Sequence, residues 1–205
     1  MISKDVIAIV AAVLAMASIA PYLIDILKRK TRPNIVSWST WTLLTGIATV
    51  ATFIAGEYRT ALLMLGSTLC CGLVVILGFK YGFAKFSKFD ALCWAGALLG
   101  IFLWFFFESP TLAIITVTTI DCIGIIPTIR HSWLEPQEET WQTFAVSAFA
   151  SALTILSLEH LSIDGALYPI YLVLGNLAIV VAVIYRRLQK GISLSRHSVH
   201  ETLHE

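Results

Sequence analysis

Seven long apolar stretches constrain this chain more than any motif in it. They run from about 5 to 27, 35 to 56, 60 to 79, 89 to 107, 109 to 129, 141 to 158 and 163 to 185. A helix of about 20 apolar residues crosses the hydrocarbon of a bilayer, so the pattern predicts an all-α membrane protein of seven transmembrane helices. Composition agrees, with 58% of residues hydrophobic and 13% charged, against roughly half and a quarter in soluble domains. The first stretch carries Ala15, Ala17 and Ala20 near its end, as a cleaved leader would. Its basic residues follow the apolar run instead of preceding it, so it is read as helix 1.

The net charge of +1 points to no nucleic acid or acidic partner, whereas the placement of charge predicts orientation. When the seven spans alternate sides, Lys4 and Arg59 fall on one side and the other twelve Lys and Arg on the opposite one. That asymmetry places the N-terminus outside and the C-terminus in the cytoplasm, with the bacterial inner membrane as the expected location.

A second feature organises the seven spans. Pro21 to Trp41 returns, altered, as Pro127 to Phe144. Pro21 matches Pro127, Pro33 matches Pro136, Asn34 matches Gln137, Ser37 matches Thr140 and Trp38 matches Trp141. Leu65-Gly66-Ser67 likewise returns as Leu174-Gly175-Asn176. Self-similarity of this kind fixes architecture. The expected plan is two three-helix units, residues 1–86 and 109–190, joined by a linker helix at 87–108, with a cytoplasmic, disordered tail at 191–205. One linker span makes the two units parallel, related by an axis along the membrane normal.

This plan resembles the PQ-loop, or MtN3, group: the SWEET sugar facilitators and their bacterial half-size relatives, the lysosomal PQ-loop exporters, and more distantly nicotinamide riboside transporters and KDEL cargo receptors. The resemblance covers the topology of residues 5–187. The position of the group's proline-glutamine pair reads Pro21-Tyr22 in one half and Pro127-Thr128 in the other. Asn176 matches the asparagine that the sugar facilitators carry midway along helix 7, and Ser67 stands at the corresponding place in helix 3. The resemblance implies a carrier for a small polar solute such as a sugar, amino acid or vitamin, working by alternating access. The related cargo receptors imply the alternative, a receptor or scaffold that holds a peptide or partner without moving a solute.

Polar side chains in the middle of a span turn toward a partner or a cavity. Ser67 and Asn176 qualify, and Asp121 is the one carboxylate deep inside a span. Tyr171 can line the same cavity. Burial disfavours the charged form of a lone aspartate, so Asp121 is expected to hold a proton for part of a transport cycle or to pair with a cationic solute. Pro21, Pro127 and Pro169 lack the N–H that a helix interior uses and are expected as hinges. Trp38, Trp41 and Trp141 enter near the membrane interface and are read as gate or interface residues. Gly96 and Gly100, in G-x-x-x-G spacing, are expected to support a homo-oligomer.

Cys70, Cys71, Cys93 and Cys122 read as small apolar residues inside spans, and His197, His200 and His204 as part of a solvated tail. The sequence holds no nucleophile-base pair, phosphate loop or metal-ligand spacing. Neither an enzyme, a cofactor nor a metal is expected.

Overall fold

A computed structural model describes residues 3–29, 33, 35–84 and 88–194, apart from the side chains of residues 89, 90, 93, 127 and 138. The expectations placed on Lys30, Arg32, Asn34, Lys85 and the tail histidines therefore lie outside the described residues, as does the side chain of Pro127. The fold is all-α. Its helices are α1 (Lys4–Ser18), α2 (Ala20–Leu27), α3 (Ile35–Ile54), α4 (Tyr58–Tyr81), α5 (Lys88–Phe107), α6 (Pro110–Leu134), α7 (Trp141–Ser157) and α8 (Ile163–Gln189), with a 3-10 turn at Pro136–Glu138. α1 and α2 form one bent helix, which makes seven among the described residues.

Local chemistry sets the ends. The Ser3 and Ser162 hydroxyls accept from the N–H groups of Val6 and Gly165, capping α1 and α8. Pro110 opens α6, where its missing N–H costs nothing. Gly56, at φ 82°, makes the left-handed turn out of α3. Pro136 belongs to the separate 3-10 turn and not to the first turn of α7.

The bend after α1 falls at Ile19, two residues before Pro21. Without a Pro21 N–H, the Ala17 carbonyl has no helical donor and accepts from the N–H of Ile19 instead. The Ser18 hydroxyl takes up the carbonyl of Ala15 at 2.8 Å. α6, by contrast, stays helical through position 127.

Among the described residues, four helices are long and apolar enough to cross a membrane: Lys4–Leu27, Tyr58–Tyr81, Pro110–Leu134 and Ile163–Gln189. Trp94–Phe107 and Trp141–Ser157 are shorter apolar helices. α3 has the length but is diluted by hydroxyls. Thr40, Thr42, Thr45, Thr49 and Thr52 each donate to the carbonyl one turn back, at 2.7–3.0 Å, which satisfies them without a partner helix.

α4 packs against both α1 and α3, and α8 against both α6 and α7. Across these groups, α1 packs on α7 and α3 on α6, while α5 lies against α3 and α6. The main core gathers Leu44, Ala48, Leu63, Met64, Ala97, Ile114, Val117 and Tyr168, so it draws on α3, α4, α5, α6 and α8 together. Large apolar side chains such as Phe79, Phe105 and Leu156 stand exposed on the outside.

The two ends are tied differently. At the end where α1 begins, Lys4 pairs with Glu159 at 3.3 Å, while Arg59 pairs with Asp5 at 2.8 Å and with Glu159 at 2.9 Å. The Ser162 hydroxyl donates to the Glu57 carboxylate beside them. At the other end the buried Arg187 guanidinium donates to the carbonyls of Pro136 and Glu139, both at 2.9 Å, and of Ser193 at 3.2 Å. It holds the loop before α7 and the chain after α8 onto one helix end.

Candidate functional site

Asp121 stands near the middle of the 25-residue α6 and is buried. The hydroxyl of Tyr168, itself fully buried on α8, donates to Asp121 Oδ2 at 2.7 Å. One turn along α8, the Tyr171 hydroxyl donates to the main-chain carbonyl of Asp121 at 2.9 Å. The two tyrosine rings meet edge to face with centroids 5.8 Å apart. Cys71 of α4 lies within electrostatic reach of Asp121 and of Tyr168, which brings a third helix to the same place. The result is a carboxylate held between two tyrosines in the core, with no Lys, Arg or His bonded to it among the described residues.

A carboxylate held by neutral hydroxyl donors alone can take up a proton or pair with a cationic group. Two expected site residues, Asp121 and Tyr171, are therefore brought together. Tyr168 and Cys71 join them without having been singled out in the sequence. Tyr168 was open to detection, because it sits three residues before Tyr171 and so shares its helix face. Cys71 carried no signal beyond its place one turn after Ser67.

Ser67 and Asn176 behave alike. The Ser67 hydroxyl donates to the Leu63 carbonyl at 3.2 Å, and Asn176 Nδ2 to the Leu172 carbonyl at 2.6 Å. Each turns back onto its own helix, and among the described residues neither hydrogen bonds to Asp121 or to the other. Asn176 is buried and Ser67 half-buried.

Pro169 lies inside α8 and is buried. Its missing N–H leaves the carbonyl of Gly165, four residues back, without a helical donor. The Thr60 hydroxyl of α4 supplies one at 2.6 Å. At this proline α8 is attached to α4.

The three tryptophans separate. Trp38 Nε1 donates to the Tyr22 hydroxyl at 3.3 Å, and Trp38 packs on Trp41 edge to face at 5.1 Å. Trp141 Nε1 instead donates to the Leu194 carbonyl at 3.2 Å. Gly96 and Gly100 meet α6 of the same chain. A Cβ at Gly96 would fall 2.5 Å from Ile120 Cδ1, and one at Gly100 would lie 3.3 Å from Thr116 Cγ2. A close approach of the kind this spacing permits is made to α6 within the chain.

No protein-family model, curated protein or solved structure matches this chain.

Proposed function

We propose that the chain is a membrane-spanning carrier of a small polar solute, in which two three-helix units joined by α5 close alternately around Asp121. The observation that carries this reading is the buried Asp121–Tyr168 pair at mid-helix, where α4, α6 and α8 converge. An ionisable side chain at such depth is costly and marks a pathway or relay.

The helix pairings support the two-unit plan. α4 relates to α1 and α3 as α8 relates to α6 and α7, and the contacts α1–α7 and α3–α6 are exchanged by the same relation. The outward apolar faces support a bilayer as the surrounding medium. With the N-terminus outside, the ion pairs among Lys4, Asp5, Arg59 and Glu159 close the outer end. Asp121 is the group that loads, with a proton or with a cationic part of the solute.

Uptake into proteoliposomes from a panel of sugars, amino acids and vitamins tests this. At least one solute is expected to move above empty-vesicle background. If Asp121 carries the proton, Asp121→Asn loses the response to a pH gradient while keeping exchange; if it pairs with a cationic solute, binding is lost. Unchanged transport and pH response in Asp121→Asn would reduce this carboxylate to a packing residue. A peptide or protein partner retained with no solute moved would favour the receptor reading.

A further inference from the structure

A groove of about 830 Å³ opens between α3, α4 and α5, away from Asp121. Gly46 and Gly72 form its floor by lacking side chains, while Val50, Ile76, Trp104 and Phe105 are among its apolar walls. Along α3 it extends from Ser39 to Val50, about 16 Å at 1.5 Å per residue. That is close to one leaflet's share of a hydrocarbon core about 30 Å thick.

One end of the groove differs chemically from the other. Ser39 lies there, and its hydroxyl makes no hydrogen bond among the described residues, whereas the Thr42 hydroxyl is engaged by the Trp38 carbonyl. The connection from α4 to α5 is fastened to this end. Ile35 N–H donates to the Phe83 carbonyl at 2.9 Å and Phe83 N–H to the Pro33 carbonyl at 3.0 Å. Trp94 of α5 donates to Thr40 Oγ1 at 2.9 Å just inside. Lys80, one turn beyond the lining residue Ile76, is exposed at this end of α4, with Nζ 5.3 Å from the Tyr81 ring centroid. No carboxylate pairs with Lys80 among the described residues.

We propose that this groove holds one acyl chain of an anionic phospholipid, with its phosphate at Lys80 and an ester or phosphate oxygen accepting from Ser39. The inference rests on the membrane placement proposed above but not on transport. An apolar trough one leaflet long with a cationic mouth fits a lipid whose tail and head differ in the same way. A second copy of the chain would match the trough but bring no anion to the mouth.

The full chain, purified from membranes in mild detergent, is incubated with phosphatidylglycerol or phosphatidylcholine of identical acyl chains, and the retained lipid is read by native mass spectrometry. Phosphatidylglycerol is expected to be retained about fivefold better, as one basic residue at a membrane surface implies. Lys80→Gln should bring the two lipids level, and Gly72→Leu should displace both. A Cβ at Gly72 would make ordinary contact with Thr42 Cγ2 at 3.8 Å, so the first added atom meets no clash. Should Gly72→Leu not fold, Ile76→Trp fills the trough from an exposed wall position. Equal retention of the two lipids by the unaltered protein, undiminished phosphatidylglycerol binding in the filled variant, or a dimer mass that the filled variant abolishes would each overturn the proposal. Recovery of the protein in the soluble fraction would instead defeat the membrane placement.

Discussion

Gly66 in α4 and Gly175 in α8 occupy matching places and do the same work. A Cβ at Gly66 would meet Met16 Cγ at 3.2 Å, and one at Gly175 would meet Ile125 Cδ1 at 2.8 Å, so Gly66 admits α1 and Gly175 admits α6. The leucines before them, Leu65 and Leu174, both stand exposed. The polar residues after them, Ser67 and Asn176, both bond one turn back. Ala15 and Asp121, counted six residues before the matched prolines Pro21 and Pro127, also occupy matching places, and they differ completely. Ala15 packs against the apolar core, while Asp121 bonds to Tyr168. Packing around the two glycines is shared, whereas the buried carboxylate is present in only one of the two sequence repeats.

The sharpest way to break this comparison is to make the halves equal. Ala15→Asp places a carboxylate where Ala15 packs on the apolar core, and is expected to lower stability by about 3 kcal/mol. Thermal unfolding in detergent measures it. A variant as stable as the unaltered protein would mean that the first half already contains a receptive polar site.

A smaller effect tests the attachment between halves. Thr60→Val strands the Gly165 carbonyl, with an expected loss of about 1–2 kcal/mol in the same measurement. In a Pro169→Ala background the helix regains its own N–H donor, so Thr60→Val should then cost markedly less. Equal losses in the two backgrounds would show that the threonine acts by packing and not by its hydroxyl.

The smallest expected effect is at the end where α1 begins. Hydrogen bonds from Lys4 and then Arg59 hold the Glu159 carboxyl below its ordinary range. A lowered folded-state value stabilises above the unfolded value, about 4.3, and that contribution disappears as pH falls through the folded value. Melting temperature should therefore fall slightly more steeply in acid for the unaltered protein than for Glu159→Gln. Parallel curves would leave these exposed pairs without energetic weight.

Helix extents were largely legible, because apolar runs end at charges, prolines and glycines that stop helices for reasons local to the chain. Asp121 stood out as a lone carboxylate in such a run. Tyr168 did not, since a tyrosine in an apolar stretch is compatible with core, interface or site, and its partner lies 47 residues away. Gly96 and Gly100 announced a close approach but not its partner. Asn176 was visible as a mid-span polar residue, yet its choice of the Leu172 carbonyl is a rotamer decision that spacing does not encode. The bend at Ile19 appeared two residues from the proline that causes it, because the missing donor is felt back along the chain.

The bond from Thr60 to the Gly165 carbonyl also bears on kinetics. Elsewhere in α8 a carbonyl that loses an outside donor still has its helical one, but at Gly165 the proline has removed that reserve. If α4 and α8 separate at this level, a water molecule must arrive as the hydroxyl leaves, or the carbonyl is left bare in a medium that cannot solvate it. Movement and hydration at that point are then a single event, and the rate of parting depends on how fast water can enter as well as on how strongly the helices attract.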